Sequence, residues 1–152
     1  MTDTHVYDKA KYHYETISQA GLPDAHASNH IVPVFRWLIE NDLMSEFFTS
    51  EGREPLERYR AGEVSIHELF EWWDTCLISD MISDQGNEFA MAYFDYDRGQ
   101  YLKDYQRTLV GNLPSEFHVV YSNSNYAKLK RAIDCRYRQW SAKKGKPWWR
   151  FW

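Results

Sequence analysis

The sequence lacks the features that mark membrane and secreted proteins. No apolar run among its 152 residues approaches the roughly 20 residues that a membrane-spanning helix requires. The opening segment, MTDTHVYDKAKYHYE, has no apolar stretch of the kind that forms a signal peptide. We therefore expect a cytoplasmic protein with no membrane partner.

Cysteine, glycine and proline are also scarce. Two Cys, seven Gly and five Pro do not fit a disulfide scaffold or a low-complexity chain. Cys76 and Cys135 match no ligand or redox spacing, which predicts two buried, reduced thiols and leaves a disulfide between them open. No repeat or Ser/Gly linker divides the chain. Residues 1–152 are predicted to form a single domain, with 141–152 as a basic aromatic C-terminal tail.

Catalytic motifs are absent as well. The chain has no glycine-rich phosphate loop, no nucleophile elbow and no Cys/His dyad spacing. His26 and His30 are four residues apart, a spacing that suits a metal on a helix, but Pro33 disfavours a helix through both and no third ligand follows. His13 is isolated in the sequence. We therefore predict no catalytic residue, no metal and no cofactor.

Helical patterns account for most of the chain. Apolar residues from Ile31 to Ile39 recur at spacings of three and four, which predicts a helix from about Asn29 to about Leu43. Ser65 and Glu68 form a capping box that should start another helix. The longest helix is predicted near 124–143, with one apolar stripe.

Further elements complete the predicted fold. Residues 45–60 suggest one or two short helices, and two more are expected from about Asp84 and from about Tyr101, the second ending at Gly111. Residues 116–121 alternate between apolar and polar side chains and are the best strand candidate. The predicted fold class is mainly α, with about five to seven helices and a minor β element.

The net charge of −4 hides a division along the chain. From Lys128 to Trp152 nine Lys and Arg residues face Asp134 alone, so the first 127 residues carry a balance of −12. Between Glu68 and Asp104 nine carboxylates are offset only by Arg98 and Lys103. Such a field either attracts a basic partner or pairs with the basic C-terminal segment of the same chain.

A partner-binding surface is predicted within this acidic segment. Asp80, Asp84 and Glu88 are four apart and would line one face of a helix, a pattern also compatible with acid–base chemistry or a plain solvated surface. The full candidate set adds nearby aromatic anchors: Asp80, Asp84, Glu88, Asp95, Trp72 and Trp73.

The C-terminal tail has two interpretations. Trp148, Trp149 and Trp152 either fold back on the domain, or with the neighbouring lysines grip phosphates and stack on bases. The sequence pI near 5.8 argues against a dedicated nucleic-acid binder.

Several segments in order carry a family resemblance: Tyr12-His13-Tyr14-Glu15, 35–43 (FRWLIENDL), 86–90 (GNEFA), Tyr93-Phe94 and 101–105 (YLKDY). The chain resembles a family of small uncharacterised bacterial proteins with a "WHYEG…H…WLI-NDL…GN-FA-YF…Y-DY" pattern, departing from it at Tyr12, Pro33 and Asp74-Thr75-Cys76. That family is similar in size and character to immunity proteins that neutralise polymorphic or contact-delivered toxins. The resemblance implies a binding protein and assigns no catalytic residue.

The expected function follows from charge and resemblance together. The first hypothesis is a non-catalytic immunity protein that blocks a toxin with a basic cleft. The alternatives are a binder of nucleic acid or an acidic protein through the C-terminus, and an unfamiliar enzyme that uses the carboxylate cluster.

Overall fold

The computed structural model describes residues 3–145, and this part of the chain is 65% helical. The elements are β1 (Val6–Lys9), α1 (Tyr14–Gln19), α2 (Val32–Glu40), α3 (Glu46–Glu51), α4 (Arg53–Arg60), α5 (Ile66–Trp72), β2 (Cys76–Ile78), α6 (Asp84–Tyr93), α7 (Tyr101–Tyr105) and α8 (Asn123–Gly145). Four 3₁₀ segments cover Ala10–His13, Asp24–Ala27, Ser79–Met81 and Glu116–His118, and a π-helical turn, Gln106–Val110, extends α7. The predicted class, mainly α with a minor β element, is confirmed.

Serine side chains start three of the helices. Ser45, Ser65 and Ser83 each accept a hydrogen bond from the backbone amide three residues on, at 3.0–3.1 Å, and so begin α3, α5 and α6. At α5 the Glu68 carboxylate also accepts from the Ser65 amide at 3.2 Å, which completes the predicted capping box. These local contacts fix helix starts that the sequence pattern marks.

Helix α2 forms the centre of the core. It is shorter than predicted, and Pro33 occupies its first turn, where a missing amide hydrogen costs nothing. Phe35 and Trp37 are fully buried. The Phe35 ring packs 5.1 Å from that of Phe70, and the Trp37 ring 5.4 Å from that of Phe89, so α2 joins α5 to α6.

Helix α8 closes the other side of this core. It is the longest described helix, 23 residues, as predicted. Tyr126, Leu129 and Ile133 are buried from its apolar stripe. The Trp37 indole N–H donates a hydrogen bond to the Asp134 carboxylate at 2.8 Å. This one polar group of an otherwise apolar side chain helps to hold α8 against α2.

The sheet lies elsewhere than predicted. β1 and β2 pair antiparallel, with Val6 opposite Ile78 and Lys9 opposite Cys76, and the register shifts between Val6 and Asp8. Residues 116–121 are not a strand: they contain a 3₁₀ turn and irregular backbone. The prediction there was wrong because alternation alone does not supply a neighbouring strand to accept and donate backbone hydrogen bonds.

Other features of the chain follow. Cys76 and Cys135 are both free thiols, but Cys135 is exposed and Cys76 only partly buried, so the expectation of two buried thiols was wrong. No helix within residues 3–145 is long and apolar enough to cross a membrane. The predicted docking of Trp148, Trp149 and Trp152 concerns residues outside the described range.

Candidate functional site

An acidic groove brings together three of the predicted site residues. Asp80 comes from the 3₁₀ turn after β2, and Asp84 and Glu88 lie one helical turn apart on α6. The groove has a volume of about 870 Å³. It is lined by Asp3, His5, Ser45, Ser79, Asp80, Ile82, Asp84, Asn87, Glu88 and Met91. Within residues 3–145 the lining therefore contains four carboxylates and no Lys or Arg.

Hydroxyl groups form hydrogen bonds that connect the segments lining this groove. The Thr4 hydroxyl lies 3.1 Å from both carboxylate oxygens of Asp80, and the Ser45 hydroxyl donates to the Asp80 carbonyl at 2.6 Å. Ser79 accepts from the His5 amide at 2.8 Å. The N-terminal segment, α3 and the turn before α6 are thereby tied together, and the Asp80 and Asp84 side chains stay exposed.

The basic C-terminal helix neutralises only part of this charge. Lys144 of α8 pairs with Glu88. The other ion pairs of α8 within the described range go to carboxylates outside the groove, from Arg136 to Asp104 and from Lys130 to Asp134. Internal pairing between the acidic and basic segments therefore exists, and within residues 3–145 it includes neither Asp80 nor Asp84.

Asp95 does not line the groove. Its carboxylate accepts hydrogen bonds from the backbone amides of Asp97 and Arg98, both at 2.9 Å, in the loop after α6. The Arg98 and Asp97 amides lower the pKa of Asp95 by stabilising its charged form. Asp95 thus stabilises a turn in the loop after α6, which is a structural role.

The two tryptophans differ in exposure. Trp72 is 50% exposed, whereas Trp73 stacks on Phe48 at 4.8 Å and packs against the core. Phe47, 48% exposed and not predicted, lies 5.7 Å from Trp73. The exposed aromatic patch therefore consists of Phe47 and Trp72 on a partly buried Trp73. Phe47 belongs to α3, which Ser45 of the groove caps, so groove and patch are neighbours.

A second cluster, buried and not predicted, gathers around Asp8. The carboxylate of Asp8 accepts from His13 Nε2 at 2.7 Å, from His30 Nε2 at 2.8 Å and from the Tyr96 hydroxyl. The Lys9 amide donates to the same carboxylate at 2.8 Å. Asp8 is 4% exposed and His30 2% exposed, so most of this polar cluster lies inside the protein.

Four segments of the chain build this cluster. Asp8 is the buried residue of β1, at the end of the register shift. His13 ends the following 3₁₀ turn, His30 precedes α2, and Tyr96 follows α6. His13 is isolated in the sequence and His30 is paired there only with His26, but the fold brings His13 and His30 together at Asp8. Nothing in the spacing indicated the cluster, because separations of five and 22 residues match no ligand motif.

His26, which lies four residues before His30 in the sequence, is hydrogen-bonded to the backbone of residue 117 instead of to Asp8. Its Nδ1 lies 2.6 Å from the carbonyl oxygen of Phe117. The Phe117 ring in turn packs 5.2 Å from His13 and 5.3 Å from His30. The segment 116–118 thus covers the Asp8 cluster with an aromatic ring, and His26 holds that segment in place.

The electrostatics of the cluster favour a charged carboxylate. Burial by itself would raise the pKa of Asp8, but hydrogen bonds from His13, His30 and Tyr96 outweigh burial and hold this pKa well below its usual value. Burial next to the same carboxylate raises the pKa of Tyr96 well above its usual range. Asp8 is therefore an anion and Tyr96 a neutral donor.

Residues 6–119 match the profile of a family described as a domain of unknown function, DUF7832, and the chain belongs to that family. The match includes both the Asp8 cluster and the acidic groove apart from Asp3 and His5, and it ends before α8. Comparison with curated proteins and with solved structures gave no match.

Proposed function

We propose that this DUF7832 protein is a non-catalytic binding protein, an immunity protein that blocks a bacterial toxin by presenting its acidic groove to a basic cleft. The observation that carries the proposal is the convergence of Asp80, Asp84 and Glu88 on one groove whose lining, among the described residues, has no Lys or Arg. The resemblance to small bacterial proteins of immunity type supplies the kind of partner.

Electrostatics gives the groove its proposed role. Toxins that act on nucleic acids need a positive surface for phosphates, and an anionic groove of matching shape is steered towards such a surface. Complementary charge raises the association rate most, and the effect weakens as salt screens the field. Asp80 and Asp84 are exposed, so their field extends into solvent.

The aromatic patch supplies the apolar part of the proposed interface. Phe47 and Trp72 are about half exposed beside the groove. Large aromatic side chains at the centre of an interface commonly contribute most of its binding energy. Because Trp72 rests on Trp73, and Trp73 on Phe48, the patch is pre-oriented and loses little conformational freedom on binding.

Charge reversal with a matched control tests the proposal. The test requires a toxin-domain protein encoded next to the gene for this chain, whose association is followed by stopped-flow fluorescence at low and high salt. Asp80→Lys with Asp84→Lys should slow association by about tenfold or more at low salt. Glu54→Lys with Glu57→Lys on α4 makes the same change in net charge away from the groove and should have a far smaller effect.

Two outcomes would contradict the proposal. If both double variants associate like the wild type and still protect cells from the toxin, the groove is not the binding surface. If Arg131→Glu with Arg138→Glu on exposed α8 abolishes binding while the groove variant retains it, the basic-surface alternative replaces the groove.

A further inference from the structure

We propose that Asp8, His13 and His30 form a binding site for a divalent transition-metal ion, with Zn²⁺ as the best match. The site lies apart from the acidic groove and does not depend on the proposed immunity function. Two imidazoles and one carboxylate are among the commonest protein ligands of zinc. All three donors offer a ligand atom within 4.8 Å of the others.

The directions of the donors fit a common ion. His13 and His30 both point Nε2 at the Asp8 carboxylate, one at each oxygen, 2.7 and 2.8 Å away. Zinc–nitrogen and zinc–oxygen bonds of about 2.0–2.2 Å place tetrahedral ligand atoms roughly 3.3 Å apart. Ligand atoms that lie within 4.8 Å of one another therefore need to approach by about 1.5 Å at most to become ligands of one ion.

The unpartnered nitrogen of His30 is consistent with this change. Its Nδ1 is buried and has no hydrogen-bond partner among the described residues. When Nε2 donates to Asp8, Nδ1 carries an unused lone pair; when Nε2 binds a metal, Nδ1 carries an unused proton. Either tautomer leaves this atom unpaired, so metal binding forfeits no existing hydrogen bond there.

The remaining neighbours would orient the ligands. The Tyr96 hydroxyl donates to Asp8 Oδ2, and the Lys9 amide donates to Oδ1 at 2.8 Å. Hydrogen bonds of this kind to a ligating carboxylate fix its orientation and strengthen metal binding. The Phe117 ring covers the two imidazoles, and His13, with 18% of its side chain exposed, gives an ion access from solvent.

A bound ion would also stabilise the N-terminal segment, which has few apolar contacts. The N-terminal segment has a separate small core of only three buried residues within the described chain: Ala10, Ile17 and Ala27. So few apolar contacts contribute little stability, and small cores are commonly reinforced by a metal or a disulfide. One ion would join β1, the following 3₁₀ turn and the segment before α2.

Zinc binding by the full chain tests the site directly. Titration of metal-free protein with ZnCl₂ against a chromophoric chelator should give one tight site per chain, and Zn²⁺ should raise the melting temperature. His13→Gln should weaken affinity at least tenfold and remove the thermal shift, because second-shell changes alone cost about 10–100-fold. His13 is the ligand least involved in the core, so this variant should fold; its far-UV circular dichroism checks that.

Controls separate this site from other zinc-binding groups. His118→Gln removes a histidine outside the cluster, and Asp80→Asn with Asp84→Asn removes the carboxylates of the groove; both should bind zinc like the wild type. In the wild type, imidazole ¹⁵N spectra should show zinc shifting Nε2 of His13 and His30. No site tighter than about 10 μM, unchanged affinity in His13→Gln, or zinc shifts at other histidines would each overturn the proposal.

Discussion

The Asp104 carboxylate accepts two hydrogen bonds from the Arg136 guanidinium, both 3.0 Å long. Asp104 is 1% exposed and also accepts from the Tyr93 hydroxyl at 2.6 Å. This pair joins α7 to the basic helix α8. Part of the acidic segment is therefore neutralised by the basic C-terminal helix within the fold. The two hydrogen bonds of this pair also fix the position of α8 on α7.

Replacement of Asp104 should therefore destabilise the protein. Asp104→Asn removes the buried negative charge that accepts hydrogen bonds from Arg136 and Tyr93, which should lower the free energy of unfolding by about 2 kcal/mol. Urea denaturation followed at 222 nm measures the change. Glu63→Gln, which breaks the exposed pair with Arg58, is the control and should cost less than about 1 kcal/mol. Equal losses in the two variants would contradict this account.

The same carboxyl should make stability depend on pH. Burial would raise the pKa of Asp104, but hydrogen bonds from Arg136, Tyr93 and Arg107 outweigh it and lower this pKa. A carboxyl with a depressed folded pKa contributes stability above its unfolded pKa of about 3.9 and loses it as pH falls through the folded value. The stability gap between wild type and Asp104→Asn should thus be full near about pH 7 and narrow below about pH 4. A gap that is constant with pH would contradict this assignment.

Backbone strain before β2 predicts a stabilising change. Thr75 has a φ of 50°, a left-handed conformation that a β-branched residue rarely adopts. Relief of about 1–2 kcal/mol of strain, less the greater unfolded-state entropy of glycine, should make Thr75→Gly more stable by about 0.5–1 kcal/mol. Thr49→Gly, the same replacement within α3, should instead be destabilising. Thermal denaturation of both variants checks the sign, and destabilisation in each would contradict the strain argument.

The two neighbouring tryptophans should respond differently to truncation. Trp73→Ala removes a ring stacked on Phe48 and should cost about 3 kcal/mol of stability. Trp72→Ala removes a half-exposed ring and should change stability by less than about 1 kcal/mol, while weakening partner binding by about tenfold or more. Denaturation and binding measurements on the same samples separate these effects. Unimpaired binding in folded Trp72→Ala would remove it from the proposed interface.

Local chemistry explains which parts of the fold the sequence predicts. The capping box at Ser65 and the apolar stripe of α8 both depend on residues within a few positions of each other. Spacing on one helix likewise placed Asp84 and Glu88 together. These features need no knowledge of distant contacts.

The features that the sequence did not predict all depend on contacts between residues that are distant in the chain. β1 and β2 are four and three residues long and pair across nearly 70 positions, so neither carries a periodic signal. Residues 116–121 carry such a signal but have no partner strand in the part of the chain that the structure describes. Trp73 and Trp72 are adjacent in sequence, and only packing against Phe48 decided that Trp73 is the more buried of the two.

By itself, the sequence determined the helical class, the starts of the capped helices and the concentration of carboxylates around α6, because propensity, capping and charge are local properties. Only the tertiary structure decided that His13 and His30 meet at Asp8, and that Lys144 pairs with Glu88. Contacts between distant residues depend on how the segments pack. Burial of apolar surface stabilises the fold as a whole, so the sequence spacing of two residues does not indicate whether packing brings them together.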